Sequence, residues 1–203
     1  MEKYIPYLLT VYFVVYFLWA FVIRSWMVYR STGINPMVLP KDDSAYGLVG
    51  FYFKLTVAGL FIYVLLYAWV PYTHGYFLAV QLPYADNFRW VGCMILCVAM
   101  VWTIIAQGNM KDSWRVGIDS ERKTELITEG LFSYSRNPIF LGMLLVLAGL
   151  FLVTPNAVTL IFWIVGYILI QVQIRLEEEY LRRQHGILYD EFCHRVPRRL
   201  LFR

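Results

Sequence analysis

Leu126-Ile127-Thr128-Glu129-Gly130-Leu131-Phe132, followed after a short gap by Arg136-Asn137-Pro138-Ile139-Phe140-Leu141-Gly142, passes from polar loop into apolar segment within a few residues. Asn137 is a favoured N-cap type and Pro138 suits the first helical turn, so a helix is predicted to begin there, at a water-membrane boundary. Pro138 to Val153 is apolar, Thr154-Pro155-Asn156 interrupts, and Ala157 to Ile174 is apolar again. With so short a break, and with Pro155 ending the first helix, the two runs read as a tight antiparallel hairpin.

Working outward, three further apolar runs precede the hairpin: Tyr4 to Ile23, Tyr46 to Val70 and Trp90 to Gln107. A bilayer crossing needs roughly 20 such residues. With 60% hydrophobic and 16% charged residues and a mean hydropathy of +0.55, the composition excludes a soluble globular domain and places the chain among integral membrane proteins. The expected fold is all-α: a polytopic membrane helix bundle of about five transmembrane helices, with a cytoplasmic C-terminal helical cap. Tyr4 to Ile23 is longer than a signal-peptide core and lacks a small-residue cleavage site after it, so it is expected to remain as a helix.

Charge gives the orientation. Arg24, Arg30 and Lys41 follow the first run, five basic residues lie between Lys111 and Arg136, and seven follow Ile174. By the positive-inside rule these segments share the cytoplasmic side, which puts the N-terminus outside and the C-terminus in the cytoplasm. The membrane would be a bacterial inner membrane or the endoplasmic reticulum. The net charge of +4 then reflects topology and attraction to anionic membrane lipids, and no nucleic-acid partner is expected. Cys93 and Cys97 read as small packing residues one helical turn apart. His185, Cys193 and His194 lack the spacing of a zinc site, so no metal is expected.

The segment from Gly108 to Arg136 alternates charges with large apolar residues such as Trp114, Leu126 and Phe132, a composition that predicts an ordered cap on the helix ends. Within it, Lys111 to Asp119 reads as a strand. Beyond Ile174, the run Arg175-Leu176-Glu177-Glu178-Glu179-Tyr180-Leu181-Arg182-Arg183 has no helix breaker before Gly186. A helix continuing to His185 would be about 43 Å long at about 1.5 Å per residue, more than the bilayer core of about 30 Å, so its end must protrude. Its charges suggest pairs of Arg175 with Glu179, Glu178 with Arg182 and Glu179 with Arg183. Gly186 suits a C-cap, and Tyr189 and Phe192 share one face of a short following helix.

In order along the chain, Leu126 to Phe132, Arg136 to Gly142, Glu177-Glu178 with Leu181, then Gly186, Tyr189, Phe192 and Arg195-Val196-Pro197 resemble the isoprenylcysteine carboxyl methyltransferase and phospholipid methyltransferase superfamily of integral membrane methyltransferases. The chain departs from that pattern at Asn137, where the family carries His, so imidazole chemistry is not available there.

The resemblance implies S-adenosylmethionine as methyl donor and a lipid or small hydrophobic acceptor, methylated on a carboxylate, amine or thiol at the cytoplasmic face. Residues 1–107 would shape substrate access, and residues 108–203 would form the donor site. Arg136 and the helix start at Asn137 and Pro138 would serve the donor's carboxylate. Glu177 and Glu178 would serve its ammonium or ribose hydroxyls. Tyr134, Phe140 and Tyr189 would line its adenine or sulfonium, Leu126, Ile127, Thr128 and Gly130 would form the loop against it, and Gly142 would allow close backbone approach. As catalytic residues, Glu178 would take a proton from an amine or thiol, and Arg195 would position a carboxylate. A nicotinamide-dependent enzyme like the sterol reductases, and a non-enzymatic membrane scaffold, are the alternatives. The acceptor and the oligomeric state stay open.

Overall fold

Asn156 starts the longest helix of the structure, a computed structural model that describes residues 2–38, 43–117 and 125–200. Its side chain accepts from the Thr159 backbone at 3.0 Å, and Thr159 Oγ1 accepts from the Asn156 backbone at 3.3 Å. This reciprocal cap satisfies two N–H groups that the helix cannot satisfy internally.

In chain order the helices are α1 (Ile5–Phe17), α2 (Arg24–Thr32), α3 (Ala45–Trp69), α4 (Ala85–Asn109), α5 (Pro138–Val153), α6 (Ala157–His185) and α7 (Ile187–Arg195). A π-helical turn, Leu18–Ile23, joins α1 to α2, so Ile5–Thr32 forms one continuous apolar rod. Among the described residues four helices are long and apolar enough to cross a membrane, and the shorter α5 makes a fifth apolar element. The outward faces carry exposed apolar side chains, including Leu8 and Val11 on α1, Leu55 and Ile62 on α3, and Ile161 and Ile168 on α6. Such a surface is stable in lipid and unstable in water. The chain is therefore a polytopic helical membrane protein, as its composition indicated.

Helices α4 and α5 approach most closely. A Cβ added at Gly149 would lie 3.1 Å from the Gly92 carbonyl oxygen, and one added at Gly142 would lie 2.3 Å from Thr103 Oγ1. Small residues permit this contact, and Trp102 Nε1 locks it by donating to the Pro138 carbonyl at 2.8 Å. The central core beside it joins Ile5, Leu9 and Phe13 of α1 to Leu60 and Val64 of α3, Leu96 of α4 and Leu150 of α5.

Each end of the bundle is tied differently. At one end Asn156 Nδ2 donates to the Tyr63 hydroxyl at 2.8 Å, and the Val80 and Ala157 backbones pair with Pro155 and Leu78. At the other end Val116 sits in a single parallel bridge with Met37, the Arg24 guanidinium donates to the Lys111 carbonyl, and Ser31 donates to Asp112 at 2.6 Å. The strand expected over Lys111 to Asp119 is replaced by a 3-10 turn, Lys111–Ser113, and that one bridge. Among the described residues Met37 is the one bridge partner of this segment. The cap positions 118–124, Asp119, Glu121, Arg122 and Lys123 among them, lie outside the described residues, as does Lys41.

Helix α6 does run through the charged segment to His185, and Gly186, at φ +55°, closes it before α7. Its charges pair differently from the expectation. Arg183 does meet Glu179, but Arg182 reaches Asp190 at 2.8 Å, and Glu178 faces away from Arg182 toward Arg136 and Arg198. Substituting Asn156 by Ala should lower stability by about 1–3 kcal/mol, since a cap and a buried hydrogen bond go together. Thermal unfolding in detergent micelles measures it.

Candidate active site

Glu178 lies on the inner face of α6, 6% exposed. Its carboxylate accepts from Arg136 Nε and Nη2 at 3.2 and 3.1 Å, from Arg198 Nε at 3.0 Å and Nη2 at 2.6 Å, and from Asn137 Nδ2 at 3.4 Å. A carboxylate withdrawn from water needs such a set of charged and neutral donors to stay ionised. The hydrogen bond and charge of Glu178 hold the Arg198 guanidinium above its ordinary pKa, against the opposing effect of burial.

This cluster stitches the C-terminal tail to the loop before α5. Arg136 Nη1 donates to the Cys193 and Val196 carbonyls at 3.0 and 3.1 Å, and the Arg136 backbone donates to Pro197 at 3.1 Å. Tyr189, Phe192 and Val196 pack beneath, with Leu126 and Leu181 against them. Asn137 stands in the cap position of α5, yet its side chain makes no cap hydrogen bond. It turns to Glu178 and the Arg198 carbonyl, because an amide N–H beside a buried carboxylate has more to gain there than an amide oxygen has at a helix start.

Next to the cluster opens a cavity of about 210 Å³. Its α6 wall is Gln173, Glu177, Tyr180 and Leu181; opposite lie Phe132, Asn137, Pro138 and Phe140. Trp114, Arg115 and Val116 close one side, and Gln107 of α4 another. Glu177 accepts from Gln173 Nε2 at 2.9 Å, and among the described residues no guanidinium pairs with it. Arg115 donates through Nη1 to the Asp112 and Trp114 carbonyls, its Nε is buried without an acceptor, and among the described residues no carboxylate pairs with it. The cavity therefore offers the Glu177 carboxylate, the Arg115 guanidinium and aromatic walls to a ligand.

A second cavity of about 90 Å³ lies deeper in the bundle. Phe21, Phe53 and Met143 line both, and the deeper one is otherwise walled by apolar groups such as Phe13, Leu60, Leu147 and Ile170.

Against this geometry, residues 87–187 match the family model of phospholipid methyltransferase. The chain belongs to that family. Family membership implies methyl transfer at a membrane, with lipid as the substrate class. No curated protein was found to match the chain. The phospholipid methyltransferase segment runs from the start of α4 to the start of α7, so it covers most of the cavity wall but stops short of Arg198.

The residues expected at the site are placed unevenly. Arg136, Asn137, Pro138, Phe140 and Glu177 line the cavity. Glu178 lies behind them, engaged by both guanidinium groups. Arg195, expected to position an acceptor carboxylate, is exposed outside the cavity lining, and Arg198 is the tail residue that pairs with Glu178. The reason is local: Pro197 holds Val196 extended (φ −115°, ψ 128°), which returns the chain toward the loop one residue later. Tyr134 is exposed on the surface, and Tyr189 is buried under the tail beside Phe192. Gly142 lies against Thr103 of α4. Leu126 packs on the tail cluster, Ile127 and Thr128 are partly buried outside the cavity lining, and Gly130 takes a positive φ of 61°, where Asn109 Oδ1 accepts from the next backbone N–H at 2.9 Å. Gln107, Arg115 and Arg198 were not expected. A polar residue ending an apolar helix, and two Arg flanking otherwise apolar or turn-forming residues, were the available signals.

Glu178→Ala should cost about 3–5 kcal/mol, because it strands two guanidinium groups. Arg198→Ala should cost less, since Arg136 still neutralises the carboxylate and Arg198 itself is partly solvated. Chemical denaturation of the two variants in the same detergent tests the order.

Proposed function

We propose that the protein transfers a methyl group from S-adenosylmethionine to an amphiphilic acceptor whose polar end enters the larger cavity and whose apolar body lies in the deeper one. The observation that carries this reading is the junction: Phe21, Phe53 and Met143 line a charged cavity and an apolar one at once. A soluble acceptor would have no use for the second.

The donor's chemistry fits the residues present. Its carboxylate suits Arg115, whose Nε is an orphaned buried donor. Arg136 was the expected partner, but its nitrogens are already bonded to Glu178, Cys193 and Val196. The donor's adenine suits the aromatic slot lined by Trp114, Phe132 and Phe140. When bound, S-adenosylmethionine supplies an electrophilic methyl group on a sulfonium centre.

What the chain contributes is alignment and dryness. Aromatic walls exclude water from the reacting groups, and the rigid α5 and α6 walls hold the two ligands in one line, which converts an encounter into an oriented displacement. For an amine or thiol acceptor a proton must leave, and Glu177, whose carboxylate faces the cavity with only an amide on it among the described residues, receives it. Glu178 is unsuited to that role because both its oxygens are occupied by guanidinium groups. The cavity end of the bundle carries Arg24, Arg115, Arg136 and Arg198, which supports its lying on the cytoplasmic side.

Purified protein in detergent should bind S-adenosylhomocysteine with one site per chain by calorimetry, and should move label from methyl-labelled S-adenosylmethionine into an extract of total membrane lipids. Arg115→Ala should weaken binding about tenfold, equivalent to about 1.4 kcal/mol. Glu177→Gln should lower turnover about 100-fold for an amine acceptor, in the range of a lost general base. Binding of a nicotinamide nucleotide in place of S-adenosylhomocysteine would overturn the reading.

A further inference from the structure

Gln107 sits near the end of α4, 2% exposed, on the wall of the larger cavity. Its orientation is set from a distance by the π-helical turn in the first span. There the Arg24 backbone N–H returns to the Trp19 carbonyl, five residues back, and not to Ala20, four back. The Ala20 carbonyl is thereby released from its usual helical partner, and Gln107 Nε2 donates to it at 3.0 Å. A carbonyl only accepts, so the amide nitrogen must face Ala20 and the amide oxygen must face the other way. Turning the amide over would set two oxygens against each other. Among the described residues no donor reaches that oxygen, although it is buried. Buried polar atoms are otherwise paired almost throughout folded proteins. Gln107 itself lines the larger cavity, whose polar residues include Arg115 and Glu177.

We propose that Gln107 is a specificity-determining residue whose side-chain oxygen accepts an N–H from the molecule bound in the larger cavity. This rests on the donor reading above. The N–H has two chemical sources there: the exocyclic amino group of the donor's adenine, or the nitrogen of an amine acceptor. In both cases the residue selects against a ligand that presents an oxygen or a fully substituted nitrogen, because the amide cannot turn over without losing Ala20.

The test uses the full chain in detergent, wild type and Gln107→Met. One arm compares S-adenosylhomocysteine with S-inosylhomocysteine, which carries oxygen in place of the 6-amino group, by calorimetry. The other titrates an amine-headed phospholipid against its trimethylated counterpart in mixed micelles, with S-adenosylhomocysteine saturating and tryptophan fluorescence as readout. Wild type should prefer the N–H ligand at least tenfold in one arm, and Gln107→Met should reduce that preference to within about twofold. The arm that responds identifies the source. Preference in neither arm of the wild type overturns the inference without any variant, so it stays decidable even where Gln107→Met fails to fold. A preference that Gln107→Met retains also overturns it, since a merely structural amide would change stability and leave the ratio alone. Wild type that binds S-adenosylhomocysteine but does not discriminate refutes Gln107 alone. Wild type that binds none refutes the donor reading and this inference with it.

Discussion

One buried carboxylate holds the cavity end of this membrane protein together. Glu178 projects from a helix that has just left its apolar stretch, and the cost of removing its charge from water is met by two guanidinium groups from segments distant in sequence. Arg136 brings the loop before α5, and Arg198 brings the tail after α7. Because both Arg also bind backbone carbonyls or sit beside them, the ion cluster fixes chain direction as well as charge. The wall of the larger cavity, from Asn137 to Phe140, is a continuation of the segment so fixed. Glu177, one residue earlier on α6, is rotated by about 100° from Glu178 at about 3.6 residues per turn, and so looks into the cavity while its neighbour braces the wall.

A second constraint comes from the packing of α4 on α5. Gly92, Gly142 and Gly149 let the two helices approach until side chains of one touch the backbone of the other. That approach carries Trp102 to the Pro138 carbonyl, and Gln107 of α4 separately meets the Ala20 carbonyl, so the start of α5 and the π-helical turn are both referenced to α4. The π turn is a local departure in an otherwise regular apolar rod, and π turns recur at functional positions because they release a carbonyl and re-aim side chains. Here the released carbonyl is Ala20, and the adjacent side chain, Phe21, lines both cavities. The N-terminal half, in which no motif is legible, thus contributes to the site through the Ala20 carbonyl and the rings of Phe21 and Phe53.

Much of the architecture could be read from the residues. The hairpin with Thr154-Pro155-Asn156 at its turn, the continuation of α6 to His185, the stop at Gly186 and the buried face of Tyr189 and Phe192 all follow from local signals: a helix breaker, an unbroken run of helix formers, a C-cap glycine and an aromatic spacing. These signals act within a few residues, so no distant contact is needed to interpret them. Where a strand was expected from Lys111 onward the described residues form a 3-10 turn and one bridge, because strand formation depends on a partner, and among the described residues Met37 is the one beside it. The i, i+4 pairing of Glu178 with Arg182 failed for a related reason: a weak local ion pair on a solvated face yields to a desolvated pair with two guanidinium groups.

The sequence by itself determined that this chain is an integral membrane helix bundle and pointed to the family of methyltransferases to which it belongs, because hydropathy, caps and ordered motifs are properties of short segments. It brought Arg136, Asn137 and the two Glu into consideration without saying which faced which. Only the tertiary structure decided that Glu178 is a brace while Glu177 faces the cavity, that Arg198 pairs with Glu178, and that Gln107 and Arg115 stand on the wall. Those assignments depend on helix rotation, on the return of the chain at Pro197 and on a carbonyl released in another helix. Each is a relation between segments far apart in sequence, set by burial and charge neutralisation once the helices are packed.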